Sequence, residues 1–244
     1  MRITFLGTGS AMPMAGRHQT GVLLQDDGRS LLVDCGSGVL HRLHRTTVGY
    51  EGVSTVLLTH HHLDHVSDLM ALLKARWLAG EESLEVVGPR GTKSLVDGLL
   101  DVHDYLDGRL DLRVREVGPH EFEVAGFEVA AAETRHSMSC LAYRFDDRFA
   151  FSGDSEAFGE LAAFGDGVAV FAHDCSFPDD IDVDNHPTPS ELGAALAGHE
   201  YGRVYLTHQY PVTDGRHEEM VESVGERYGG EVRVAEDMLS VTVE

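Results

Sequence analysis

The segment Thr59-His60-His61-His62-Leu63-Asp64-His65 packs four imidazoles and one carboxylate into seven residues, directly after the apolar run 53–58. Imidazole nitrogens and carboxylate oxygens are ligands for Zn²⁺ and also for Mn²⁺ or Fe²⁺. Along an extended stretch side chains alternate, so His60 and His62 point one way and His61 the other. His60 and His62 are placed to grip one cation. Asp64 and His65, where the chain turns into a helix, are placed to reach a second. Two adjacent cations suit hydrolysis, because they acidify water and clamp both oxygens of a displacement. An affinity-tag-like run would sit at a terminus, whereas this one lies between a strand and an amphipathic helix.

The elements that must carry these ligands alternate. Residues 2–6 read as a strand and 7–19 as a Gly/Pro loop. Strands at 20–26 and 30–34 meet at a DDG turn, and helical spacing covers 37–46. The strand at 53–58 leads through the histidines into a helix over 65–78, whose Trp77 and leucines face a core. A strand at 84–87 and a helix over 89–105 follow, opened by Pro89. Strands are expected at 112–117, 121–124, 126–133, 140–145 and 148–152. A helix at 156–164, a strand at 168–172 and a helix at 190–199 come next. Strand 203–207, helix 216–227 and strands 231–234 and 239–243 close the chain. With no repeat or linker, residues 1–244 read as one domain. Two sheets packed face to face with helices outside fit this order.

HHHLDH resembles the HxHxDH signature of the metallo-β-lactamase superfamily, and other motifs follow in that superfamily's order. His136 in TRHSMSCLAYRF is similar to its third ligand motif. Asp154 in FAFSGDS is similar to its bridging-aspartate motif, and His208 in VYLTHQYP to its last ligand motif. The resemblance implies an α+β fold, an αββα sandwich of two mixed β-sheets. It implies one cation on His60, His62 and His136, a second on Asp64, His65 and His208, and Asp154 between them. Two divalent ions, Zn²⁺ first and Mn²⁺ or Fe²⁺ as alternatives, are the expected cofactors.

Longer stretches narrow the branch. FLGTGSAMPMAGRHQTGVLL, LLVDCGSGVLHRL, VFAHDCSF and NHPTPSELGAALA resemble segments of ribonuclease Z and its relatives, so the likeness covers nearly the whole chain. Asp174 stands where ribonuclease Z usually carries Glu. His186 stands where that group places a His beside the scissile phosphate. The resemblance therefore implies that His186, oriented by Asp174, serves the leaving oxygen, while Asp64 doubles as proton acceptor to a hydroxide bridging the metals. Transfer-RNA-processing members carry a long Gly/Pro-rich arm between the third ligand and the bridging aspartate. Here only residues 137–153 lie between them, enough for two strands and a turn. The expected function is a phosphodiesterase or ribonuclease Z-like nuclease acting on a small or cyclic diester, or on RNA. A lactonase or thioesterase-type hydrolase on the same site is the alternative. Relatives are often homodimers, so a homodimer is also expected.

Composition bounds the rest. Nineteen Lys+Arg face 41 Asp+Glu, a net charge of −22. That balance reads as a solvated acidic surface suited to high salt and excludes a broad basic nucleic-acid footprint. It leaves phosphodiesters open, because bound cations supply local positive charge. Cys35, Cys140 and Cys175 are odd in number and lack metal-type spacing, so no disulfide framework is expected. No apolar run has membrane-spanning length, and a cytoplasmic location is the default. His41, His44, His103 and His120 read as solvated, His61 as structural, and His18 as near the site.

Overall fold

The computed structural model describes residues 1–181 and 183–244. Its first sheet contains β1 (Arg2–Gly7), β2 (Gly21–Asp26), β3 (Arg29–Val33), β4 (Thr55–Leu57), β5 (Ser83–Gly88), β6 (Asp111–Glu116) and β14 (Ser240–Thr242). The order is β14-β1-β2-β3-β4-β5-β6, antiparallel as far as β3 and parallel beyond it. The second sheet contains β7 (Glu121–Val124), β8 (Phe127–Glu133), β9 (Leu141–Phe145), β10 (Phe149–Phe151), β11 (Val170–Asp174), β12 (Arg203–Thr207) and β13 (Val232–Val234). Its order is β13-β12-β11-β10-β9-β8-β7, parallel from β13 to β10 and antiparallel from there to β7.

Period-two alternation explains the layers, since successive strand side chains point to opposite faces. Ile3, Phe5, Val22, Leu24, Leu31 and Val33 face the second sheet and meet Tyr143, Phe145, Phe149 and Tyr205. Their neighbours Leu6, Leu23 and Leu32 face outward under α1 (Val39–Leu43), α3 (Leu69–Ala79) and α4 (Thr92–Val102). The second sheet buries its outer face likewise under α5 (Gly159–Gly165), α6 (Pro189–Leu196) and α7 (His217–Gly225). The result is the expected αββα sandwich. Among the described residues no helix is long and apolar enough to cross a membrane.

Three local expectations are refined. The DDG turn is a two-residue hairpin loop, with Asp27 and Gly28 both at positive φ (45° and 81°), which suits the right-handed twist of β2 and β3. The helix expected over 65–78 is two: α2 (Leu63–Val66) and α3. The Cys35 backbone explains the break. Its N–H donates to His65 O (2.7 Å) and its carbonyl accepts from Asp68 N (2.9 Å), so the groups that would continue the helix are taken by the β3–α1 loop. Trp77 is half-buried, packed against the core with Arg109 over its ring, whereas Leu78 is exposed, so the earlier leucines of α3 and Trp77 reach the core and Leu78 does not. Pro89 lies outside α4, whose first N–H groups, at Gly91 and Lys93, donate to Glu116 instead.

One ion-pair cluster joins the sheets away from the histidines. The Asp26 carboxylate meets the Met1 ammonium (3.0 Å), Arg29 (2.5 Å) and, from the second sheet, Arg148 (2.6 Å). Arg148, then the ammonium, hold this carboxyl well below the usual carboxylate range. A depressed folded-state pKa gives stability that is present above the unfolded value near 4 and is lost as pH falls below it. Asp26→Asn should lower the Tm at pH 7 by roughly 2–4 °C. The gap from wild type should close as melts are repeated below about pH 4.

Candidate metal centre

The ligand-bearing residues leave the sheets at one end. Asp34 follows β3, His60 follows β4, Asp154 follows β10, Asp174 ends β11 and His208 follows β12. The C-terminal ends of parallel strands are where open α/β sheets gather ligands. Asp34 (φ 59°) and His208 (φ 61°) turn sharply in the left-handed region, conformations that cost about 1–3 kcal/mol each and persist where the surroundings enforce them.

Three donor groups form there, two that share Asp154 and a third of Asp174, His186 and His208. His60, His62, His136 and Asp154 place one ligand atom each within 4.8 Å of one another, and Asp64, His65, Asp154 and His208 do the same. Asp154 is shared. Its Oδ2 lies 3.6 Å from His60 Nε2 and 3.2 Å from His208 Nε2, and its Oδ1 lies 3.3 Å from His65 Nε2. In the first set His62 Nδ1 lies 3.0 Å from His60 Nε2 and 3.1 Å from His136 Nε2. All the metal residues expected from the sequence are therefore brought together, in the two groups expected.

Hydrogen bonds on the outer side fix which nitrogen points inward. Asp34, buried, accepts from Thr59 N–H (2.7 Å), Thr59 Oγ1 (2.8 Å) and His65 Nδ1 (2.8 Å). Thr59 Oγ1 in turn accepts from His60 Nδ1 (3.0 Å). His136 Nδ1 donates to the Asn185 carbonyl (3.3 Å), and His208 Nδ1 to Ser176 Oγ (2.9 Å). His60, His65, His136 and His208 thus have Nδ1 engaged outside and Nε2 turned inward, the orientation a metal ligand needs. Burial pushes the pKa of His60, His62 and His136 down, which keeps them neutral. Burial acts the same way on His65, but the Asp154 and Asp34 carboxylates outweigh it and push His65 up. Burial alone would raise Asp154, but His208, His65 and His60 pull it well below the carboxylate range.

The residues fit divalent cations. His65 Nε2 is buried and has no hydrogen-bond partner among the described residues, yet it points into the second donor set. Lone pairs of His60 and His62 converge at 3.0 Å, an arrangement that a cation between them stabilises. The mixed N/O donor set suits Zn²⁺, Mn²⁺ or Fe²⁺.

His186 stands over both sets. It stacks on His208 (centroids 5.2 Å, 14°) and meets His136 edge to face (5.3 Å). Its Nδ1 donates to Asp174 Oδ2 at 2.7 Å. Burial opposes its protonation, but Asp174 prevails and His186 is pushed up to about 9. Thr188 caps α6 through a capping box with Glu191, a role separate from that of His186 two residues earlier. His61 points away, donating to Thr92 Oγ1, which itself donates to Pro89 O, so it is structural. His18 joins neither set; it packs against Gly38, where a Cβ would lie 2.1 Å from its Nδ1. Gly7 is required by close packing, since a Cβ there would meet Gln19 O at 1.8 Å. The three cysteines are buried and unpaired.

Sequence reasoning missed Asp34 and Ser176. The only signal for Asp34 was a carboxylate ending a hydrophobic strand before Gly-Ser-Gly. Ser176 donates to Asp174 Oδ1 and receives His208 Nδ1, so it ties the His186 pair to the second donor set.

Comparison with known proteins agrees with this geometry. The family described as Anti-Pycsar protein Apyc1 matches residues 1–222. Ribonuclease Z of Mycobacterium avium (strain 104) is 29% identical over 276 residues, covering 100% of this chain and 99% of the relative. The metallo-β-lactamase fold protein YhfI from Bacillus subtilis superposes with a TM-score of 0.84 at 24% identity, covering 98% of each chain. The short form of human tRNase Z (ELAC1) gives 0.77 at 21% identity, covering 100% of each. The fold is the metallo-β-lactamase fold.

Asp34→Ala should weaken Zn²⁺ binding about 10–100-fold, the usual effect of removing the residue that orients a metal-ligating His. Zn²⁺ titration calorimetry measures this, with circular dichroism checking that the fold is kept.

Proposed function

The chain belongs to the family described as Anti-Pycsar protein Apyc1, and from that premise we propose that it is a two-cation phosphodiesterase acting on small or cyclic diesters. The observation that carries the reading is the pair of donor sets sharing Asp154, with the paired His186–Asp174 standing over them. His60, His62 and His136 would hold one cation and Asp64, His65 and His208 the other, with Asp154 bridging. When bound, the cations would supply Lewis acidity, lowering the pKa of water and neutralising charge on the phosphoryl oxygens.

The chain's own residues do the rest. The Asp64 carboxylate accepts the proton released as a water oxygen bonds to phosphorus. Asp174 holds the Nδ1–H of His186, so Nε2 is the atom that faces the substrate. The Asp174 carboxylate favours the protonated form of His186, which gives its proton to the leaving oxygen as the P–O bond breaks. The balance is one P–O bond formed and one broken, with one proton taken up at Asp64 and one delivered from His186.

Size and charge support a small substrate. The cavity beside the donor sets has a volume of about 360 Å³, the scale of a small-molecule pocket. Among the described residues no Lys or Arg lines it. Residues 137–153 hold β9, β10 and their connections, and no arm. A protein that grips a long polyanion normally uses Lys and Arg along its backbone.

The test is a panel run with metal-loaded protein at high salt. It contains bis-p-nitrophenyl phosphate, 2′,3′- and 3′,5′-cyclic nucleotides, an unprocessed transfer RNA, a lactone and a thioester. Turnover of the small diesters is expected. Turnover of the lactone or thioester alone would sink the reading, and processing of the transfer RNA would remove the size argument. His186→Ala should lower kcat by about 10²–10⁴-fold with metal content unchanged. Asp154→Ala should lose metal and activity together.

A further inference from the structure

Most of the polar walls of the metal cavity are accounted for by the donor sets and by His186. Beyond Ser137, Asp184 and Asn185, what remains is apolar or aromatic. Tyr210 and Leu63 both line the cavity. Leu63 is 77% exposed, although it sits between two metal donors, His62 and Asp64. A single exposed leucine is ordinary. One set into the wall of a site, beside an aromatic ring, presents a surface to a ligand.

Tyr210 is held in place from every side of its backbone. His208 turns through the left-handed region, and Gln209 is buried, its Nε2 donating to Cys175 O (2.9 Å) and Thr207 O (3.2 Å). Gln209 N–H donates to Thr8 O, and Pro211 starts a 3-10 turn immediately afterwards. Phe177 then stacks on the Tyr210 ring (centroids 4.6 Å, 27°) and fixes its plane. The ring meets His186 edge to face at 6.0 Å and His208 at 5.7 Å. An aromatic ring fixed beforehand in this way loses little freedom when a flat group packs on it.

We propose that Tyr210, backed by Phe177 and joined by Leu63, forms a subsite for the organic group on the leaving oxygen. The preferred substrates are then monoanionic phosphodiesters whose leaving group has a flat apolar face. This rests on the phosphodiesterase reading and names the substrate class for it. The leaving side is assigned because His186, the residue that serves the leaving oxygen, is the imidazole over the metal donors that both aromatic rings flank; Phe177 lies 6.0 Å from it. The charge class follows from the walls. With no Lys or Arg in the cavity and Asp184 in its lining, the one side chain pushed toward a positive charge there is His186, already paired with Asp174, and nothing further in the protein balances the second negative charge of a monoester.

Two diesters with the same leaving group decide the matter: bis-p-nitrophenyl phosphate and methyl p-nitrophenyl phosphate. Tyr210→Ala should raise KM about tenfold with both. The kcat should stay within about threefold, bound metal should be unchanged, and Tyr210→Phe should restore the wild-type KM. p-Nitrophenyl phosphate, a monoester, should not be turned over by wild type. An unchanged KM in Tyr210→Ala would overturn the subsite. A rise confined to the bis-aryl diester would overturn its assignment to the leaving side. Turnover of the monoester would overturn the charge argument. If Tyr210→Ala does not fold, Leu63→Ser on the exposed side chain takes its place. It should raise KM about threefold with both diesters, and no rise would overturn the subsite. Wild type that turns over neither diester would overturn the phosphodiesterase reading itself, and this inference with it.

Discussion

Four carboxylates, those of Asp34, Asp64, Asp154 and Asp174, are buried within one end of the sandwich. Removing an ionised carboxylate from water costs several kcal/mol unless partners replace the lost hydration. How each is compensated sorts them by role. Asp34 is satisfied by three donors from the protein, and Asp174 by Ser155 N–H, Ser176 and His186. Among the described residues the side chains of Asp64 and Asp154 face only imidazole nitrogens. The one among them pushed toward its charged form, His65, is shared with Asp34. The first pair of carboxylates completes itself and can serve to orient. The second pair is complete only with added positive charge, which is what marks it for cations.

The two sheets solve the same problem twice. In the first, a carboxylate just beyond β3 holds the Nδ1 of an imidazole, His65, from a loop. In the second, a carboxylate at the end of β11 holds the Nδ1 of another, His186. The difference is where Nε2 is left. His65 turns it into a donor set with Asp154, whereas His186 lies above the sets, stacked on His208. On the proposed reading the same pairing would yield a metal ligand in one half and a proton donor in the other. Within the second half Ser176 links the ends of β11 and β12, because a single hydroxyl accepts from His208 and donates to Asp174. A change at either strand end should be felt at both.

What the sequence made legible follows from how local each feature is. The ligands from His60 to His65 are contiguous, so their type and spacing carry the chemistry directly. The sandwich was legible because strands buried on both faces read as near-continuous apolar runs, such as 20–24 and 53–58. His136, Asp154, His186 and His208 were legible only through resemblance, since each is one polar residue beside a strand or loop. Asp34 was not recognised, because its partners Thr59 and His65 are distant in sequence and an aspartate ending a strand otherwise suggests a turn. The break between α2 and α3 was hidden for the same reason: its cause, the Cys35 backbone, lies in another loop. Tyr210 looked like part of a ligand motif, and its place in the cavity wall depends on Phe177 and Gln209.

The net charge of −22 and the metal centre belong to one argument. A protein that recruits phosphate with surface Lys and Arg attracts every polyanion, and its selectivity must then come from shape. Here the attracting charge would sit on two ions at the base of a small cavity, under acidic surroundings. Beyond about 10 Å at ordinary ionic strength those ions are screened. A long polyanion would meet the acidic surface before it felt them. On the proposed reading a small diester would enter the cavity and exchange its single charge for contact with the cations. Hydrolysis would turn it into a monoester with a second charge, which no Lys or Arg of the lining matches.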